Sequence, residues 1–145
     1  MRMQYLICGI LKGNLMEYVK QLADISKTDN NNCALNAMSI VFNKPYYDVY
    51  ETFKEHGRVR GKGTSVRIIT TALNVLKQGS PEKAINNWQM PTKMKVSLAK
   101  FAKMYPKGKY YVIKSRHALA LIDGVWYDNQ VPNPRAYVKY FFKVD

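Results

Sequence analysis

The sequence has few of the side chains that build disulfide frameworks and metal centres. Cysteine and histidine occur twice each, as Cys8, Cys33, His56 and His117. Two cysteines are too few for a disulfide framework, and no C-x-x-C pair or Cys/His zinc spacing is present. Two imidazoles exclude a histidine-rich metal site. We therefore expect a reduced, cytoplasmic protein without a metal ion or cofactor.

Long apolar runs are also missing. The N-terminal apolar stretch, Tyr5 to Leu11, is interrupted by Gly9 and followed by Lys12. It is too short to cross a membrane, and it lacks the small-residue cleavage site of a secretory signal. We expect no membrane partner. Residues 1–15 are expected to be an N-terminal extension or docking segment, and residues 16–145 a single domain.

Acidic residues are scarce, since 10 Asp and Glu are set against 23 Lys and Arg, for a net charge of +13. A positive field of this size attracts nucleic acid, anionic membranes or acidic proteins. The charge is nevertheless dispersed, which is more typical of a solvated surface than of a binding face. Its densest stretch, Arg58–Lys62, lacks the Walker spacing of a phosphate-binding loop. We expect the whole loop that contains this stretch, Arg58–Thr64, to form a flexible rim beside a substrate cleft.

The first half of the chain has helical periodicity. Apolar residues recur at helical spacing, and residues 30–32, all asparagine, are expected to supply the N-cap of the first helix. Residues 78–91 contain Pro81 and Pro91 and are predicted to be irregular. The predicted helices are Cys33–Asn43, Tyr46–Glu55, a segment capped by Thr64 or Ser65 that runs to Leu76, and Val96–Met104.

The second half of the chain has the pattern of strands. Asp123-Gly124 lies between two apolar runs and is a strong signal for a two-residue hairpin loop. Helices followed by an antiparallel sheet predict an α+β fold. The predicted strands are Tyr110–Ile113, His117–Ile122, Val125–Asn129 and Ala136–Val144.

The predicted hairpin brings a histidine close to a carboxylate. With a two-residue loop at Asp123-Gly124, His117 and Asp128 lie on the same face of the paired strands as diagonal neighbours. Asn129 falls on the opposite face. Gln130, which would lie directly opposite His117, is the alternative partner. The parity therefore favours Asp128 as the group that orients the imidazole.

The position of Cys33 favours an activated thiol. A thiolate in the first turn of a helix faces the positive end of the helix dipole and its free N–H groups. Those groups, together with the side chain of Asn31 or Asn32, are candidates to hold the oxyanion formed when a carbonyl is attacked. The simpler alternative is that Cys33 is a small core residue, which is how we interpret Cys8.

A series of short motifs follows in a characteristic order along the chain. They are Asn32–Ala37, Tyr47–Tyr50, Gly57-Arg58, Gly63-Thr64, Phe101–Gly108, His117-Ala118 and Asp123–Asp128. Over residues 17–145 their order and spacing resemble the small papain-like cysteine peptidase domains often encoded by bacteriophages. The resemblance implies a papain-like fold, with Cys33 as the nucleophile, His117 as the proton shuttle and Asp128 as its orienting acid. Papain relatives usually have a glutamine about six residues before the cysteine, where this chain has Lys27.

Two functions of different classes follow from these features. The first is a thiol hydrolase or transferase that acts on a peptide, isopeptide or amide bond of a peptide or acidic protein in the host cytoplasm. The second is a non-catalytic basic protein on a papain-like scaffold, which captures nucleic acid or an acidic host protein. The order of the three triad residues favours the first function. The charge of +13 is the main support for the second, in which nucleic acid is the less favoured partner.

Overall fold

The fold is that of a computed structural model, and the structure describes residues 3–11, 16–23 and 32–145. Within these ranges the chain is α+β, as the sequence predicts. The strands are β1 (Met3–Leu11), β2 (Met16–Ala23), β3 (Thr92–Lys93), β4 (Lys109–Lys114), β5 (His117–Ile122), β6 (Val125–Asp128) and β7 (Val138–Lys143). The helices are α1 (Cys33–Phe42), α2 (Tyr46–Glu55), α3 (Val66–Gln78), α4 (Pro81–Asn86) and α5 (Leu98–Met104).

The strands form one mixed sheet in the order β1-β2-β6-β5-β4-β7-β3. Neighbours are antiparallel except for β2 and β6, which are parallel. The predicted order of helices first and an antiparallel sheet last is therefore incomplete, because two strands precede α1. The pairing of β2 with β6 joins segments far apart in the chain, and the residue pattern of neither segment specifies it. The expected extension, residues 1–15, includes β1, the edge strand beside β2.

Helices cover both faces of the sheet. Side chains alternate along β4 and β5, so successive residues enter two separate apolar clusters. The cluster with α1, α2 and α3 includes Tyr111, Ile113, Ala118 and Ala120. The cluster with α5 includes Tyr110, Val112, Leu119, Leu121 and Trp126.

Helix α1 is the central helix of the first cluster. Every residue from Ala34 to Val41 is buried, and Leu35 and Met38 have no exposed surface. A helix that is buried on all sides is a core helix rather than an amphipathic surface helix. Because α1 packs chiefly against β5, its first residue, Cys33, lies near the sheet.

The helix caps explain where several helices begin. Ser65, Ser80 and Ser97 each accept a hydrogen bond from the backbone N–H three residues later, at the start of α3, α4 and α5. Of the two predicted caps of α3, Ser65 is confirmed. None of the described helices is long and apolar enough to cross a bilayer.

One of the predicted local structures is wrong, and another is confirmed only in part. Residues 78–91 are not wholly irregular, because Pro81 begins α4 instead of breaking a helix. Proline is tolerated in the first turn, where its missing N–H has no partner to lose. Asn32 occupies the N-cap position of α1, but its side chain makes no capping hydrogen bond. The first turn of α1 is instead held by packing of the buried helix.

Candidate active site

Cys33 is the first residue of α1 and is partly buried. The N–H groups of the first turn of a helix have no intrahelical acceptors, so they create a positive field where the thiol lies. The backbone N–H of Ala118, in β5, interacts with the Cys33 sulfur and lowers the pKa of the thiol. Packing of α1 against β5 therefore places the thiol between the positive end of its own helix and an N–H group of the sheet.

His117 and Asp128 form a close pair across the hairpin. Nε2 of His117 lies 2.7 Å from Oδ1 and 2.9 Å from Oδ2 of Asp128. The Asp128 side chain is almost fully buried, and its Oδ1 also accepts the backbone N–H of Asn129 at 2.7 Å. The carboxylate is thus fixed by a backbone donor while it orients the imidazole.

The predicted register of this hairpin is confirmed. Ile122 pairs with Val125, and Leu121 with Trp126. Asp123 and Gly124 have φ of 49° and 80°, the conformation of a type I′ turn, which holds the two strands in register. The imidazole therefore contacts Asp128, and the alternative partner, Gln130, lies beyond the end of β6.

The thiol of Cys33 and the imidazole of His117 interact, and each changes the pKa of the other. Since Nε2 of His117 binds Asp128, Nδ1 is the ring nitrogen left for the thiol. Burial raises the pKa of Cys33, but the hydrogen bond and charge of His117 and the Ala118 N–H outweigh it, so the pKa is lowered overall. Burial lowers the pKa of His117, whereas the hydrogen bonds and charges of Asp128 and Cys33 raise it, to about 9. The two shifts favour a thiolate–imidazolium pair between the lowered pKa of Cys33 and about pH 9.

Tyr111 holds the start of α1 against the sheet, a role that the sequence analysis does not identify. Its hydroxyl, fully buried, donates a hydrogen bond to the carbonyl of Ala34 at 3.0 Å. Burial and the negative charge of Cys33 raise the pKa of Tyr111 well above its usual value, so the hydroxyl stays a donor. Tyr111 lies at an ordinary position in an apolar strand. Its hydroxyl group is therefore the only feature of the sequence that would indicate a hydrogen-bonding role.

The two expected oxyanion donors are only partly described. Asn31 and Lys27 lie outside the described residues. Asn32 is 6% exposed, and its Nδ2 is buried without a hydrogen-bond partner among the described residues. Asn32 does not line the cleft beside Cys33, whereas Thr64 does, and Oγ1 of Thr64 is likewise buried without a partner. The role of Asn32 remains a prediction, and Thr64 is a further polar group at the site.

A cleft of about 640 Å³ opens beside Cys33 and His117. One wall is formed by residues 63–66, at the start of α3, and the other by the turn between β4 and β5. The floor is apolar, with Ile69 and Ile113. This size and lining suit a short stretch of peptide.

The basic segment before α3 differs from its expected form. Residues 63 and 64 do line the cleft, as expected of a rim, but Arg58 is 6% exposed and has a partner within the chain. Its charge is therefore not presented to solvent. His56 is the C-cap residue of α2, and Gly57 follows at a φ of 106°, as expected for a helix end.

No group of three or more His, Cys, Asp or Glu side chains that could hold a metal ion occurs in the described ranges. A thiol and an imidazole, those of Cys33 and His117, instead line the cleft, and the carboxylate of Asp128 binds His117 from outside that lining. No protein-family model matches the chain, and no curated protein or solved structure matches it either.

Proposed function

We propose that the chain is a papain-like cysteine hydrolase or transferase that acts on a peptide, isopeptide or amide bond. Cys33 is the nucleophile, His117 the general acid and base, and Asp128 the residue that orients His117. The observation that carries the proposal is that Asp128 binds His117, and that His117 lines the same cleft as Cys33, at the start of a buried helix, and lowers the pKa of its thiol. A structural cysteine needs neither an imidazolium beside it nor a carboxylate behind that imidazolium.

The reaction follows from the protonation states of the pair. The Cys33 thiolate attacks the carbonyl carbon, a C–S bond forms, and the carbonyl electron pair moves to oxygen. The imidazolium of His117 gives its proton to the nitrogen as the C–N bond breaks, so the amine leaves and a thioester remains on Cys33. Water, deprotonated by His117, then attacks the thioester and restores the thiolate. An amine in place of water gives transfer instead of hydrolysis.

Asp128 and the first turn of α1 assist both steps. Asp128 fixes the imidazole through Nε2 and stabilises its protonated form, which leaves Nδ1 for the proton transfers. The N–H groups of the first turn, with Asn31 or Asn32, are the proposed donors to the oxyanion. A bacteriophage source and action in the bacterial host cytoplasm belong to the same proposal, and rest on the resemblance of the motifs.

A peptide that carries an electrophile, such as a vinyl sulfone, and a fluorophore tests the proposal. The wild-type protein should form a covalent adduct at Cys33, located by peptide mass spectrometry. Cys33→Ala should form none, and Cys8→Ala, which removes the other thiol, should label as the wild type does. Equal labelling of Cys33→Ala and the wild type would contradict the proposal.

The second candidate function is a basic binding protein on the same scaffold. The net charge of +13 favours it, since such a field attracts acidic partners whether or not the thiol reacts. Binding alone, however, gives no reason for a thiol paired with an imidazole. The hydrolase is therefore our preferred function.

A further inference from the structure

The described lining of the cleft beside Cys33 contains cations and no acidic side chain. Three basic residues, Lys114, Arg116 and Lys139, belong to its wall, and none of the described lining residues is Asp or Glu. The carboxylate of Asp128, behind His117, is bound to His117 and to a backbone N–H. The described residues therefore present a positive field to a ligand in the cleft.

Two of these cations, Arg116 and Lys139, lie where the backbone is irregular, and this irregular backbone places them at the cleft beside Cys33. Arg116 lies immediately before His117, in the two-residue turn between β4 and β5, with a φ of 58°. Lys139 lies at a bulge in β7, where the partners of Ile113 and Lys114 jump from Tyr140 to Val138. A bulge redirects a side chain that regular pairing would send elsewhere. Lys139 and Tyr140 consequently both line the cleft.

These cations have no anionic partner in the described part of the chain. The ion pair found there joins His117 to Asp128, and none involves Lys114, Arg116 or Lys139. Arg116 and Lys139 are exposed, and Lys114 is partly buried. Three positive charges around an apolar floor suit a ligand with a short apolar stem and an anionic tip.

We propose that this cleft is a specificity subsite for the carboxylate side chain of an Asp or Glu residue next to the bond attacked by Cys33. The inference rests on the proposed hydrolase function and names its substrate class. The aliphatic part of the side chain lies on Ile69 and Ile113, and the carboxylate faces the three cations. A cleft of about 640 Å³ with an apolar floor fits one or two side chains. Nucleic acid instead favours an extended basic track with stacking aromatic residues.

Two small alkylating agents separate the charge of the subsite from the reactivity of the thiol. Iodoacetate and iodoacetamide are similar in size, but only iodoacetate carries a carboxylate. The rate constant for iodoacetate divided by that for iodoacetamide, both at Cys33, should fall about two- to fivefold in each of Lys114→Gln, Arg116→Gln and Lys139→Gln. It should fall further when the three substitutions are combined. Lys100→Gln, which removes an exposed lysine from α5, should leave the ratio unchanged. The difference in this ratio between the wild type and the three Gln variants should vanish in about 1 M salt, where the Debye length is only about 3 Å.

The same ratio distinguishes failure of the subsite from failure of the proposed function. Slow alkylation by iodoacetamide, equal to that of Cys8, would contradict the hydrolase. If iodoacetamide reacts at its normal rate but the ratio of the iodoacetate to the iodoacetamide rate constant is unchanged in all three Gln variants, the subsite proposal alone is overturned.

Peptide probes then test the class of substrate. The probes are vinyl sulfone peptides that carry Glu, Gln or Lys at each of the two positions on either side of the electrophile. At one of these positions, the peptide with Glu should label Cys33 faster than the peptides with Gln or Lys. The Glu preference should disappear in the triple Gln variant. A preference for Gln or Lys would overturn the proposal. So would protection of Cys33 by a short oligonucleotide at concentrations where a Glu-rich peptide gives none, because that result assigns the cations to nucleic acid.

Discussion

Nε2 of His117 lies 2.7 Å from Oδ1 of Asp128, and the two residues are eleven positions apart on the two strands of one hairpin. The hairpin turn therefore sets the register that brings the two side chains together. The thiol, by contrast, reaches the imidazole only through the packing of α1 against β5. Orientation of the histidine and activation of the cysteine are thus separable by mutation.

Asp128→Asn should lower turnover about 10²- to 10⁴-fold with little change in the fold, because the amide orients the imidazole poorly and no longer stabilises its charge. It should also bring the pKa of His117 down from about 9, so activity at alkaline pH should be lost at lower pH than in the wild type. The measurement is kcat/KM against pH with the peptide that labels best. Asn129→Ala is the control, since only its backbone N–H contacts Asp128. Greater damage from Asn129→Ala would contradict the assignment of Asp128.

Iodoacetamide at pH 6 should alkylate Cys33 well before Cys8. The pKa of Cys33 is lowered, so its thiolate persists as the pH falls, until the pH passes below that pKa. His117→Ala removes the main cause of the lowered pKa of Cys33. The pH at which the alkylation rate of Cys33 begins to rise should therefore be higher than in the wild type. Turnover, unlike alkylation, should fall above about pH 9, where His117 loses the proton that the leaving amine requires. Equal, slow alkylation of both cysteines at pH 6 would count against an activated thiol.

Tyr111→Phe should destabilise the fold by about 1 kcal/mol, because the carbonyl of Ala34 loses a buried donor. Tyr110→Phe is a matched control on the neighbouring position, which faces the other cluster. Urea denaturation gives the free energy of unfolding for both variants. If Tyr111 also positions α1, the pH at which Cys33 begins to react should shift in Tyr111→Phe and not in Tyr110→Phe. If the pH dependence of Cys33 alkylation does not shift, Tyr111 contributes to the stability of the fold and not to the position of α1.

Asn74→Ala should destabilise the fold by about 2–3 kcal/mol. The buried Asn74 side chain donates to the carbonyls of Thr70 and Gln89 and accepts the N–H of Gln89, so it holds the segment after α4 against α3. Asn87→Ala removes one exposed hydrogen bond, to the carbonyl of Lys83, and should cost well under 1 kcal/mol. Thermal or urea unfolding of the two variants checks the difference. Similar losses in both would show that the Asn74 bonds add little.

Binding of DNA or RNA should be weak and should weaken steeply with added salt, as expected of a dispersed basic surface. Fluorescence anisotropy with a labelled oligonucleotide at two or more salt concentrations measures it. Lys114→Gln with Arg116→Gln and Lys139→Gln is a better test variant than one that includes Arg58, because Arg58 is buried. Cys33→Ala should bind as the wild type does. Tight binding that survives physiological salt would favour the binding-protein candidate.

The sequence predicted local features of the site better than distant ones. The pairing of His117 with Asp128 follows from a turn signal and strand parity, both of which are properties of neighbouring residues. The contact of Cys33 with the Ala118 N–H depends on how α1 packs against the sheet, which residue spacing does not specify. The same holds for Tyr111, whose hydroxyl has a partner 77 positions away.

The errors in the fold have similar causes. The parallel pairing of β2 with β6 is long-range, and neither segment carries a turn that would specify it. The sequence favours Pro81 as a breaker because proline ends helices far more readily than it continues them, yet proline also suits the first turn of a helix, where Pro81 lies. The bulge that presents Lys139 has no sequence signal, since it lies in an otherwise alternating strand.

The complete burial of α1 also bears on how the molecule opens. The backbone amides of residues 37–41 should exchange with deuterium only when the whole domain unfolds, because local fraying would expose side chains of a helix that contacts α2, α3 and the sheet. The turn before His117 is solvent-exposed and should exchange much faster. The thiol is therefore carried by the slowest-opening part of the molecule, whereas Arg116, one of the three cations of the cleft, lies in a turn that exchanges much faster.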